Sequence, residues 1–318
     1  MRHIVLSLFL MLGCTATLSA EDKARLKGLI ITGGCCHDYD NQKLIIEQGL
    51  SQRMSIDFDV VHEGGTGRDH KVSVYSQPGW AKKYDVIVHN ECFGGVVDDD
   101  FVKAIAQAHF EGIPAVFIHC SLHSYRNAPV GADAWRELIG VTSRRHESKH
   151  QVLAQNVNEH HPVMAGFPLE WKTPNGELYI IEKVWPNATP LLQAYGKDTK
   201  QVHTVAWINS FGKAKVFGTS LGHHNETMNN DVWLGMFARG VLWTCGKLDR
   251  NGKPLAGYEG TGIKPIELPK LEPIPEKKPA KKKKPKKKQA KVVCRRGDPR
   301  AMEAVTNSSG CPRRHTGS

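Results

Sequence analysis

Through the first half of the chain, unbroken apolar runs alternate with segments whose apolar residues recur at helical spacing. RLKGLIITGG is such a run bounded by glycines, and NQKLIIEQGLSQR after it carries its apolar residues three and four apart, which predicts a βα unit. SIDFDVVHE and YDVIVHNE predict a second and a third strand, and VKAIAQAHFEG the helix after them. Gly112 and Pro114 then break the chain, and AVFIHC begins a fourth strand. Strands that are apolar throughout, rather than alternating, and that are separated by helices predict a parallel sheet covered on both faces. The expected fold class is α/β and doubly wound.

After about Leu138 the runs become shorter and more β-like: HQVLAQNV, ELYIIEKV, PLLQA, HTVAWIN and AKVFGTSLG. They are expected to extend the same sheet or to build a flap on it. DVWLGMFARGVLWTC predicts a closing helix near Gly246.

The two ends of the chain have a different character. Arg2 and His3 precede the run IVLSLFLML, which is too short to span a bilayer, so residues 1–20 are read as a signal peptide. Two readings of this leader stand: cleavage after Ala20, or lipid attachment at Cys14 in MLGC. Export to the periplasm or beyond is expected, with no transmembrane span once the leader is removed. Residues 21–250 form the predicted domain, and residues 251–318 a Pro/Lys-rich basic tail. Residues 261–318 hold 17 Lys or Arg against 5 Asp or Glu, so the chain's net charge of +11 resides there. Such a segment cannot bury enough apolar surface to offset its ordering entropy, and disorder is expected. It reads either as a solvated linker or as an electrostatic tether to an anionic envelope polymer. Nucleic acid is not expected, because the run lacks interleaved aromatic residues.

The candidate chemistry lies at the strand ends, where an open parallel α/β sheet binds its ligands. The first strand ends in His37 and Asp38, the second in His62 and Glu63, and the third in His89, Asn90 and Glu91. The fourth ends in His119 and His123, and the last in His223, His224 and Glu226. Five strands in succession that end in histidine predict one shared polar pocket. Neutral imidazole with carboxylate suits zinc or manganese, and His119, His123 and His223 are the expected ligands of a divalent metal. The four-residue spacing of His119 and His123 would align them if that loop turned helical. Glu177, which precedes an apolar strand, offers a carboxylate from the second half. No cofactor besides a metal is expected.

A cut at Ala20 leaves seven cysteines, an odd number, with no CxxC zinc spacing. Adjacent Cys35 and Cys36 are not expected to bond to each other, since the ring so formed is strained, whereas Cys294 and Cys311 flank a polar loop and could pair. Cys120 is flanked by His119 and Ser121 rather than by the small residues of a nucleophile elbow, so a buried, inert thiol is favoured over a reactive one. GGTG at residues 64–67 lacks phosphate-loop spacing and reads as a turn.

Several segments together are similar to one family. TGGCCHDYDNQK, VVHEGGTGRDHKVSVY, YDVIVHNECF, AVFIHCSLHSYR, GVTSRRH, HHPVMAGF, TPNGELYIIEKVWP and KVFGTSLGHHNETM resemble the ThuA-like proteins, named for trehalose utilisation, over about residues 27–247. The resemblance implies a flavodoxin-like, class I glutamine amidotransferase-like three-layer sandwich with a mostly parallel sheet, without amidotransferase chemistry. It also implies a place in carbohydrate catabolism. The positions it carries over are His119, His123, Glu177 with Tyr179, and His223, with His161 as a weaker addition.

The leading expectation is an exported enzyme acting on a sugar or keto-sugar by isomerisation or cleavage next to a carbonyl. His119, His123, Glu177 and His223 are its expected catalytic residues. His37, Asp38, His89, Glu91, Tyr179, His224 and Glu226 are its expected substrate contacts, and Arg144, Arg145, Trp171 and Trp185 are further hydroxyl-binding or stacking candidates. Two alternatives remain open: a non-catalytic carbohydrate-binding module tethered by its basic tail, and a hydrolase dependent on Cys120.

Overall fold

The computed structural model describes residues 25–129 and 131–269. The predicted leader and the lysine-rich run lie outside the described residues. So do Cys14, Cys294 and Cys311.

The first four predicted strands are present as β1 (Leu26–Gly34), β2 (Ile56–His62), β3 (Val86–Cys92) and β4 (Ala115–Ile118), with α1 (Tyr39–Ser51) and α2 (Asp99–Phe110) between them. Both helices start on an aspartate. Asp38 accepts from the Asn41 N–H, and Asp98 from the Phe101 N–H, which satisfies donors left open at a helix start. Downstream lie α3 (Gly131–Ile139), β5 (Val141–His146), β6 (Leu153–Asn156), β7 (Glu170–Lys172), β8 (Tyr179–Val184), β9 (Thr189–Tyr195), β10 (Val202–Phe211) and β11 (Ala214–Thr219). The short α4 (Asn225–Met228) and the closing helix α5 (Asp231–Thr244) complete the domain.

The main sheet runs β2-β1-β3-β4-β11-β10-β9-β6-β7. Its first five strands are parallel, and from β10 onward every pairing is antiparallel. Both expectations for the second half hold together: β9, β10 and β6 extend the sheet, while β8 pairs with β5 in a separate two-stranded ribbon.

Alternate residues of the parallel strands feed two cores on opposite faces. Ile30, Val88, Val116 and Ile118 pack with Ile45, Leu50, Leu234 and Phe237 of α1 and α5. Leu29, Ile31, Ile87 and Phe117 pack with Val102, Ile105, Trp135 and Leu138 of α2 and α3. The result is a three-layer α/β sandwich, in which unbroken apolar strands are the signature of burial on both faces. Among the described residues no helix is long and apolar enough to cross a membrane.

The packed chain extends past the predicted boundary at residue 250. Met54 bridges to Glu259, the Ser55 N–H donates to the Tyr258 carbonyl, and Ile266 and Leu268 lie against the α1/α5 core. Proline and lysine suggested an unpacked tail, but three spaced apolar side chains are enough to hold residues 251–269 on the domain.

Candidate functional site

At the carboxyl ends of β1, β4 and β11 three imidazoles meet one carboxylate. His37 lies just beyond β1. His119 opens a single 3-10 turn, His119–His123, at the end of β4. His223 lies in the loop between β11 and α4, and Glu177 comes from the segment leading into β8. His119 has φ +41°, a left-handed conformation that turns the chain sharply off the strand.

The ligand-type atoms converge tightly. His223 Nδ1 lies 3.0 Å from His37 Nε2, 3.1 Å from His119 Nε2 and 3.1 Å from Glu177 Oε2. His119 Nε2 lies 3.3 Å from the same carboxylate oxygen. These contacts cannot all be hydrogen bonds. His119 Nδ1 is 2.6 Å from the Ser220 carbonyl and must donate to it, so the neutral ring presents a lone pair at Nε2. A single proton on His223 Nδ1 then serves one of its three neighbours and leaves the others facing it as lone pairs.

Burial disfavours the charged form of two of these rings, His119 and His37. It pushes the His119 imidazole below its ordinary range despite the nearby carboxylate, and pushes His37 further down, with His119 and His223 adding to the effect. For Glu177 burial acts upward, yet its contacts with His119 and His223 outweigh it and hold the carboxyl well below the usual range. Neutral imidazoles around an ionised carboxylate are the protonation states that ligate a divalent cation. Four of the six separations, at 3.0–3.3 Å, approach the edge of about 3.3 Å of a tetrahedron with metal–nitrogen bonds near 2.05 Å, and all the ligand-type atoms lie within 4.8 Å of one another. A supporting layer surrounds the set: His37 Nδ1 lies 3.3 Å from Tyr39 Oη, which donates to the Cys35 carbonyl.

His37, Glu177 and His223 of this cluster line a pocket of about 330 Å³, whose lining also includes His123, His146, Tyr179, Arg68, Arg126 and Lys149. His146 Nδ1 is 2.8 Å from the Glu147 carbonyl and 3.2 Å from Glu177 Oε1. Donation to the carbonyl leaves Nε2 as its basic nitrogen. Tyr179 is buried, and desolvation, followed by Glu177, raises its phenol well above the ordinary value, so it stays protonated.

The other predicted residues have different surroundings. His123 lies in the pocket but outside the ligand set, with Nε2 3.0 Å from Ser143 Oγ and its ring stacked on Tyr179 at 4.1 Å. In a 3-10 turn a residue four positions on is rotated by about 120°, not brought back to the same side. Asp38 is the cap of α1 and also accepts from Asn225 Nδ2, tying α1 to α4. His89 and Glu91 are fully buried beneath the sheet, 3.0 Å apart, with Tyr75 donating to Glu91 and His109 against His89. His224 packs on His223, and Glu226 is exposed. His161 caps a short turn and packs on Trp243. Arg144 faces Glu182, Trp185 donates to Thr142, and Trp171 packs on Phe167.

Sulfur lines the same pocket. Cys35 is bonded to Cys36 and Cys92 to Cys120, contrary to the expectation for the adjacent pair and for an unpaired Cys120. Cys36 has φ +87°, and this left-handed turn brings the neighbouring sulfurs together. With its sulfur in a disulfide, Cys120 is no nucleophile. Sequence reasoning also passed over His146, Arg68, Arg126 and Lys149, although Arg126 stands only three residues after His123.

The sequence profile of the ThuA family, described as trehalose utilisation, matches residues 29–244. No curated protein matches the chain. A ThuA-like protein from Parabacteroides merdae superposes with a TM-score of 0.56 at 17% identity, covering 74% of this chain and 98% of its own. Another, from Bacteroides uniformis, gives 0.53 at 17% identity, covering 75% and 98%. At these identities the likeness concerns the fold, and it agrees with the three-layer sandwich. With the profile spanning two thirds of its length, the chain belongs to the ThuA family.

Proposed function

We propose that this protein is an exported enzyme acting on a sugar or keto-sugar, by isomerisation or bond cleavage next to a carbonyl, at a divalent metal held by His37, His119, His223 and Glu177. The observation that carries the reading is the convergence of three imidazole nitrogens and one carboxylate oxygen, with more lone pairs than protons to separate them. The family's description as trehalose utilisation supports the substrate class. Two disulfides in the domain, with the apolar leader, support export to an oxidising compartment.

When bound, the cation would act as a Lewis acid on a carbonyl oxygen. A proton on the neighbouring carbon is then acidic enough for a single base. His146 is suited to take it, because its Nδ1–H is committed to the Glu147 carbonyl and it lines the pocket. Tyr179 keeps its proton and can donate it in a hydrogen bond. Metal analysis of the full chain, beside His37→Ala and His119→Ala variants with unchanged circular dichroism, tests the reading. Near-stoichiometric zinc or manganese in the parent and its loss from both variants is expected; a folded parent free of metal would overturn it.

A further inference from the structure

The domain's charge is nearly balanced, because the excess lies in residues 261–318. The pocket is not balanced. Arg68, Arg126 and Lys149 line it, and Glu177 is the only carboxylate among the lining residues. That carboxylate is already engaged by His119, His146 and His223. Among the described residues no Asp or Glu oxygen lies within 4 Å of any of the three cations, whereas Arg25, Lys27, Lys43, Arg53, Lys71 and Arg136 each face an aspartate.

Arg126 is held in place. Tyr125 before it is fully buried with φ +56°, an energetically costly conformation for a bulky residue. The Tyr125 N–H donates to the Phe93 carbonyl, and Ser124 Oγ is fixed between the Glu91 carbonyl and the Phe93 N–H. The Arg126 side chain crosses the face of Gly94, where a Cβ would come within 3.2 Å of its Nε. One terminal nitrogen donates to the Arg144 carbonyl, and the Arg126 carbonyl accepts from Arg136. This is a half-buried guanidinium fixed in advance with donors to spare, and its planar fork suits a carboxylate or a phosphate.

We infer that the pocket binds an anionic group carried by the sugar, a carboxylate or a phosphate, on Arg126 with Arg68 and Lys149, while the His/Glu cluster takes the reacting end. The inference rests on the sugar reading above and adds its charge. The free cations would complement the anion, and their field would also steer it into the pocket.

The test is titration calorimetry on the full-length protein with D-glucose, D-glucuronate and D-glucose 6-phosphate at low salt, with metal content measured on the same samples. At least one anionic sugar is expected to bind about tenfold more tightly than glucose, with that margin shrinking as sodium chloride is raised to 0.5 M. Arg126→Gln and the pair Arg68→Gln/Lys149→Gln are expected to abolish the preference and leave the metal content intact; Lys103→Gln, on the far surface of α2, should leave it unchanged. Preference for glucuronate over the phosphate assigns a carboxylate, and the reverse a phosphate. Equal affinity for glucose and both anions, no binding of either anion, or a preference that survives Arg126→Gln would overturn the inference. Lack of metal in the parent would instead overturn the proposed chemistry, leaving the charge preference to be read on its own.

Discussion

At the scale of single residues, the proposed metal site depends on groups that orient its imidazoles as much as on the imidazoles themselves. Tyr39 is nearly buried, stands against His37 Nδ1 and donates to the Cys35 carbonyl, so it orients a ring that would otherwise rotate about its last bond. Loss of such a supporting contact typically weakens metal affinity 10- to 100-fold. Tyr39→Phe is therefore expected to fold normally and to weaken zinc binding by about tenfold, read by competition with a fluorescent chelator; unchanged affinity would remove Tyr39 from the site. The sequence exposed His119, His223 and Glu177 because each ends or precedes an apolar run. It could not separate His37 from His123. That choice depends on whether residues 119–123 wind as an α-helix or a 3-10 turn, and both carry the same residue pattern.

At the scale of elements, the covalent link between β3 and the turn after β4 bears on stability. The Cys92–Cys120 bond closes a loop across 28 positions, worth about 3–4 kcal/mol of denatured-chain entropy, whereas a bond between neighbours Cys35 and Cys36 closes almost no chain. Cys92→Ala/Cys120→Ala is expected to lower Tm by roughly 10 °C, and Cys35→Ala/Cys36→Ala by much less. Equal shifts in scanning calorimetry would contradict this assignment of roles. Helix α5 gives a second check. A Cβ on Gly240 would sit 2.4 Å from the Phe217 ring, which is fully buried and cannot swing aside. Gly240→Ala should destabilise by about 1–3 kcal/mol in urea unfolding, despite alanine's better helix propensity. Strands β1, β3 and β4 were legible because burial on both faces leaves an unbroken apolar run, and α1, α2 and α5 by their helical spacing, whereas α3 was not read from the sequence. Strands β5 and β7 were not: β7 has only 3 residues, and β5 ends in exposed Arg144, Arg145 and His146, so little apolar pattern marks them.

At the scale of the whole molecule, stability should fall in acid. His109 is fully buried, and desolvation, followed by His89, lowers its imidazole to about 3. Around it stand His89, paired with Glu91, the Trp80 ring, and the Ile113 carbonyl. Above pH 6.5 the ring is neutral whether the chain is folded or not. As pH falls below that value the unfolded chain takes up a proton that the folded one refuses until about pH 3. This single group removes about 1.4 kcal/mol of stability per pH unit across that window. His109→Leu should lessen the slope between pH 6 and 4 by about that amount, while losing roughly 1–2 kcal/mol at pH 8 because the Ile113 carbonyl loses its donor. An unchanged slope in urea titrations would show that His109 does not carry it.

The C-terminal limit of the folded unit is likewise a property of the whole molecule, because residues far apart in sequence share it. Tyr258, Ile266 and Leu268 cover the α1/α5 core, and the Gly262 N–H donates to the Gln52 carbonyl at the end of α1. Composition pointed to a boundary at residue 250, since proline and lysine dominate the chain beyond it and local hydropathy cannot register three apolar side chains spaced along an otherwise polar run. A chain ending at Arg250 would uncover Met54 and the Leu234 surface and leave the Ser55 N–H without its acceptor. It is expected to be about 2–4 kcal/mol less stable than one ending at Pro269, by the area exposed and the hydrogen bonds lost. Denaturant unfolding of the two chains decides the matter. Equal midpoints would mean that residues 251–269 lie on the domain without stabilising it, and a lower midpoint for the shorter chain would move the functional boundary of the fold to residue 269.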